Sequence, residues 1–154
     1  MQKRSRYYHR EPFLCRKSIT FDGATVNAIG DHDGTGDPAT VFTVTGQVIV
    51  KIIPVCTTTL TFDADATIEL GIAGATAVIV ALTDLTVEGL AAEEIWHDTT
   101  PDAEIEASSV VPEHVITDSN DVILTVATAN VLTGVIAFYA LWRPLSAGAG
   151  VVAA

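Results

Sequence analysis

The run Val41 to Cys56, VFTVTGQVIVKIIPVC, constrains this chain more than any other stretch. Val, Ile and Thr are stiff at χ1 and suit a pleated surface. From Val48 onward the residues separate cleanly by parity. Val48, Val50, Ile52, Pro54 and Cys56 are all non-polar, and Gln47, Ile49, Lys51, Ile53 and Val55 are apolar but for two. A period of two places these sets on opposite faces of a strand. The first set is expected to face a core. The second is too apolar for open solvent and predicts an interface. The Thr45-Gly46-Gln47 step is short, so Val41–Val44 and Val48–Cys56 form either a hairpin or one bent strand. Pro54 has no N–H for a ladder and marks an edge or a bulge.

A partial echo closes the chain at Leu132–Trp142, LTGVIAFYALW. Both of its parities are largely apolar, which predicts cover on both faces. Between the two runs, Ala66–Ile72 alternates and Ala77–Leu82 is continuously apolar, so the first reads as a half-exposed strand and the second as a buried one. Ala91–Glu94 allows one helical turn, and Ile95–Asp98 reads as a strand end. Ala103–Ser108 alternates, with Ile105 inward and Glu104 and Glu106 outward. Ile19–Phe21, Val115-Ile116 and Val122–Thr128 complete a set of about eight strands separated by turns. The expected fold is all-β: an antiparallel β-sandwich, jelly-roll-like. The greasy second faces of the two long strands need a further cover, and a second copy is the simplest source. The residues expected at that interface are Ile49, Ile53, Val55, Val135, Tyr139 and Leu141.

Charge divides the chain sharply. The net charge is -11, yet six of the eight basic residues lie in the first 17 positions. Lys3, Arg4, Arg6, Arg10, Arg16 and Lys17 face a single acid there, Glu11, and the remainder of the chain is strongly acidic. Residues 1–17 therefore read as a basic arm that either orders on a partner or remains a tail. Residues 18–145 form the sandwich, and 146–154 a small apolar tail, frayed or laid on a neighbour. Lys3, Arg4, Arg6, Tyr7, Tyr8, Arg10, Arg16 and Lys17 are the expected partner-binding residues. An acidic body does not track nucleic acid non-specifically; the arm is expected to dock on an acidic protein shell, with nucleic acid, through Tyr7 and Tyr8, the lesser alternative. The basic start leads into Tyr7, Tyr8 and His9 rather than an apolar segment, so no secretory signal is expected. The longest apolar run, Leu70–Leu82, is too short for a helical membrane span.

Residue chemistry offers few sites. Asp31, Asp33 and Asp37 in the loop GDHDGTGDP resemble the start of a calcium loop, where alternating carboxylates and a Gly suit a hard cation. Thr35 and Phe42 stand where further ligands belong, so a plain acidic turn is the stronger expectation. His97-Asp98, with Glu93, Glu94 and Asp102 nearby, has acid–base chemistry but no paired nucleophile. His9, His32 and His114 show no ligand spacing. Cys15 and Cys56 read as two free thiols. No cofactor is implied, and an enzyme is not expected.

The phrases VFTVTGQVIVKIIPVC, ATIELGIAGATAVIVAL, EEIWHDTTPD and DVILTVATANVLTGVIAFYALWRPL, in that order between Phe42 and Pro144, resemble small virion structural proteins of tailed bacteriophages. The resemblance implies an oligomerising β-sandwich, trimers on a capsid being favoured, with the major capsid protein or another virion protein as partner. It places the protein in the virion, assembled in the bacterial cytoplasm. Capsid decoration is the leading expectation. A tail, connector or fibre-base component and a host-glycan-binding sandwich are the alternatives. The resemblance carries over no functional residues.

Overall fold

The computed structural model describes residues 12–98, 105–117 and 120–154. Lys3, Arg4, Arg6, Tyr7, Tyr8, His9, Arg10, Asp102 and Glu104 lie outside the described residues. Among the described residues nine strands run in chain order: β1 (Phe13–Phe21), β2 (Ala39–Thr45), β3 (Val48–Phe62), β4 (Thr67–Ile72), β5 (Ala75–Asp84), β6 (Glu113–Ile116), β7 (Val122–Ala127), β8 (Val131–Pro144) and β9 (Gly150–Ala153). A single-turn helix, α1 (Leu85–Glu88), follows β5. Among the described residues no helix is long and apolar enough to cross a membrane.

Two antiparallel sheets pack as a sandwich, one ordered β1-β8-β3-β6 and the other β5-β4-β7-β2-β9. The pairing is nested. β4 pairs with β5, β3 with β6, β2 with β7 and β1 with β8. The first eight strands are thus one long hairpin rolled into two layers, the jelly-roll arrangement. The expected all-β, jelly-roll-like sandwich is the fold observed.

The parity of β3 is realised along its length. Val48, Val50, Ile52 and Cys56 are buried in the core with Leu70, Leu124 and Phe138. Trp96 is fully buried, its ring 6.5 Å from that of Phe138 in an edge-on contact. Its Nε1–H donates to Thr83 Oγ1 at 2.8 Å, which satisfies the one polar atom of a buried indole. Pro54 is tolerated for a local reason. In a strand the N–H and C=O of one residue point to the same side. At Pro54 that side meets the irregular stretch after α1, where Trp96 N–H donates to the Pro54 carbonyl, and not β8. β6 has ended by then, its pairing stopping at Lys51.

Several local expectations are corrected. Val41–Val44 and Val48–Cys56 are neither a hairpin nor one bent strand, because β2 and β3 belong to different sheets. Gly46, at φ 66°, turns the chain between the layers. An added Cβ there would meet Ser146 Oγ at 2.7 Å. β1 starts at Phe13, well before Ile19, and takes in Cys15, Arg16 and Lys17 from the stretch read as an arm. The tail is not frayed: β9 pairs with β2 of its own chain, Val151 opposite Val44. β5 is not a buried strand. It lies at a sheet edge with only β4 beside it, which leaves Val78 and Leu82 about half exposed. The described part of Ala103–Ser108 is not a strand, and Ile105 is 80 % exposed rather than inward. Alternation there has no neighbouring ladder to join. The one helical turn falls at Leu85–Glu88, not Ala91–Glu94. Asp84 caps it by accepting the Thr86 N–H at 2.9 Å, and Gly89 ends it.

Candidate interaction face

The register of the four-stranded sheet assembles its outward side row by row. Arg143, Ile49 and Val115 form one row across β8, β3 and β6. Leu14, Leu141, Lys51 and Glu113 form the next, from β1 to β6. Arg16, Tyr139 and Ile53 follow, then Ser18, Ala137, Val55 and Ile95. Thr20 stands beside Val135. The six residues expected at an oligomer interface, Ile49, Ile53, Val55, Val135, Tyr139 and Leu141, therefore share this one face, and each is half-buried. Leu14 and Val115 extend the apolar surface and are each 65 % exposed. Sequence reading missed Leu14 because the basic residues around it masked the alternation of β1.

Cations frame this apolar ground. The Arg16 guanidinium lies 5.5 Å from the centre of the Tyr139 ring, within cation–π range. Arg143 Nη2 donates to Glu113 Oε1 at 2.9 Å. Both partners are about half exposed, so this pair fixes geometry more than it stabilises. Lys51 Nζ donates to the Ser108 carbonyl and ties the 105–111 stretch to the border of the face. Beneath that stretch is a cavity of about 160 Å³ lined by Lys51, Ile53, Ile95, Glu106, Val110 and Val111. Lys17, also expected to bind a partner, instead points its amine at the Ala154 carbonyl in its own chain.

The outward side of the five-stranded sheet differs in chemistry. Ile68, Leu70 and Val126 point into the core, which turns Thr67, Glu69 and Thr125 outward, with Thr43 of β2 on the same side. Thr67 is itself buried, its hydroxyl donating to the Ala127 carbonyl, Thr125 Oγ1 is buried, and Val152 opposite Thr43 is 58 % exposed. The face built by β1, β8, β3 and β6 is the one that gathers Ile49, Ile53, Val55, Val135, Tyr139 and Leu141.

The Asp-rich loop is organised by its own hydrogen bonds. Asp31 is buried, and its Oδ2 accepts the Asn27 N–H at 2.7 Å. The His32 N–H donates to Asn130 Oδ1 at 3.0 Å, and His32 Nδ1 lies 2.7 Å from the same oxygen. Ligand atoms of Asp31, His32 and Asp33 lie within 4.8 Å of one another. Asp37 is not in that group. Its Oδ1 accepts the Val126 N–H at 2.7 Å, continuing the β2–β7 ladder through a side chain. Burial pushes its carboxyl up to about 6, against the lowering influence of that hydrogen bond and of His32; Glu69 adds a smaller upward push. The expected set Asp31, Asp33, Asp37 is thus split between two tasks.

The acid–base candidates are employed in holding the chain. His97 is buried, its Nε2 2.9 Å from Glu106 Oε1, so Glu106 faces inward rather than out. Asp98 Oδ1 accepts the Ala81 N–H at 2.6 Å, and Glu94 Oε2 the Ala91 N–H at 2.6 Å. His114 lies on the inner side of β6, opposite Val50, with its Nδ1 buried and unpartnered. Cys15 and Cys56 are both free. The Cys56 thiol donates to the Thr58 carbonyl at 3.2 Å, and burial pushes it up to about 11.

Compared with known proteins, the chain matches no family model, no curated protein and no solved structure.

Proposed function

We propose that this protein is a structural subunit of a bacteriophage virion, a capsid decoration protein without catalytic activity. In this reading it self-associates through the outward face of β1, β8, β3 and β6, and grips the shell with its basic N-terminal segment. The observation that carries the proposal is the face itself: Ile49, Ile53, Val55, Val135, Tyr139 and Leu141 stand together on one side of one sheet, half-covered within a single chain. Such an apolar field on a regular sheet marks an interaction surface. The jelly roll supports the reading as an analogy, since viral capsid domains use it, but lectins and cupins do as well. Lys3, Arg4, Arg6 and Arg10 precede β1 in the sequence, and β1 is the edge strand of this sheet. Repeated weak contacts over a symmetric shell add through avidity, so no single contact needs high affinity.

The test is co-sedimentation of the purified protein with undecorated phage shells, followed by electron microscopy. Saturable binding to shells, lost on deletion of residues 1–11, is the expected result. Density on the tail or at the connector would move the protein to that position. Unchanged shell binding by the deleted chain would remove the grip from the proposal.

A further inference from the structure

Resting on the proposal that the outward face of the four-stranded sheet self-associates, we infer that its partner is not the same face of another copy. It is the acidic end of another copy, so the contact is head-to-tail. Among the described residues, Arg16, Lys51 and Arg143 stand on this face. Glu113 is the acid within its strand rows, and it is already bound to Arg143; Glu106, at the border beside Lys51, is held by His97. A two-fold stack with parallel strands would bring cations against cations, and one with antiparallel strands would lay the cationic half on the half built by Thr20, Val135, Thr61 and Thr133, which offers it no carboxylate. Like charges set together across an interface oppose association.

The complementary surface is at the other end of the sandwich. The cations occupy the half of the sheet near Phe13, Trp142 and Val50. The opposite end is where Phe21, Phe62 and Val131 finish or begin their strands. There Gly23 N–H donates to the Val131 carbonyl, and Asp63 N–H to that of Asn130, which brings Asp22 and Asp63 to one rim. Asp65 N–H donates to Thr86 Oγ1 and Leu85 N–H to the Ala66 carbonyl, which adds Asp84 and Glu88. Asp22, Asp63, Asp65 and Glu88 are exposed. Among the described residues no Lys or Arg lies at this end. One chain therefore carries a cationic apolar face and an acidic end that do not overlap. A contact between unlike surfaces is heterologous. It closes into a ring, such as a trimer, when the rotation allows.

Two double variants decide the matter in sedimentation velocity, with circular dichroism as the check of folding. Arg16→Glu with Arg143→Glu disables the face; Asp63→Lys with Glu88→Lys disables the acidic end. Head-to-tail contact predicts that the wild-type chain assembles and that each variant alone is monomeric. Their equimolar mixture then recovers assembly, because the intact face meets the intact end and the two reversed surfaces attract each other as well. If the acidic-end variant assembles like wild type while the face variant does not, the contact is face-to-face. The inference then falls while the self-association proposal stands. A wild-type chain that remains monomeric at all concentrations removes both. Salt gives a readout that needs no variant. Head-to-tail assembly weakens between 50 and 500 mM salt as charges are screened, and assembly that strengthens with salt overturns the inference.

Discussion

Replacing Asp37 with Asn should stabilise the protein at neutral pH and do nothing in acid. Asp37 sits half-buried with its Oδ1 on the Val126 N–H, and its carboxyl is pushed from the ordinary 3.8 up to about 6. The native state thus holds a proton there that the unfolded chain releases. Between about pH 4 and 6 the native state binds more protons than the unfolded one, so this group's stability contribution falls as pH rises. It is fully present below about 3.8 and lost through about 6. At about 1.36 kcal/mol per tenfold change in proton affinity, the ceiling is about 3 kcal/mol. Partial exposure screens the charge, and about 1 kcal/mol is the realistic share. Asn keeps an oxygen that accepts the Val126 N–H and never ionises. Thermal unfolding of the wild-type and Asp37→Asn chains, in EDTA from pH 3.5 to 8, isolates the effect because all other groups cancel. The curves should coincide near pH 3.5. By pH 8 the variant should melt higher by about 2–4 °C, the shift expected for about 1 kcal/mol in a domain of this size. A difference independent of pH, or a variant less stable at pH 8, would refute the assignment of the burial penalty to Asp37.

Two further tests probe the core. Cys56 is fully buried, and its thiol is raised to about 11, so a thiol reagent at pH 8 should label it only as the fold opens, while half-buried Cys15 reacts sooner; two equally fast phases would contradict the packing around Cys56. At Gly71 an added Cβ would lie 2.2 Å from the Ala75 carbonyl oxygen, so Gly71→Ala should cost about 1–3 kcal/mol. At Gly74 nothing lies within 4 Å. Gly74→Ala should therefore be neutral or stabilise by about 0.4–1 kcal/mol, and equal melting temperatures for the two variants would show the hairpin end to be looser than drawn.

The sequence determined what local periodicity can determine. Side chains on a strand alternate strictly, so the residues of Val48–Cys56 announced both their conformation and which set faced inward. The same rule placed Val135, Tyr139 and Leu141 on one side of β8. It misled at Ile105–Ser108, the described part of the Ala103–Ser108 pattern, which has no ladder to join, and at Ala77–Leu82, whose apolar run ended at a sheet edge. Tertiary structure decided everything that depends on which strand pairs with which. Backbone hydrogen bonds are nearly blind to residue type, so nothing local told that β1 lies against β8 or that the charge-free tail would become β9. Nor could spacing show that Arg16 would come to rest over Tyr139, some 120 residues away, or that Glu106 would turn toward His97. The charge layout was half legible: the basic start could be counted, but only the rolled-up hairpin gathered the remaining cations on one face and Asp22, Asp63, Asp65 and Glu88 at the far end.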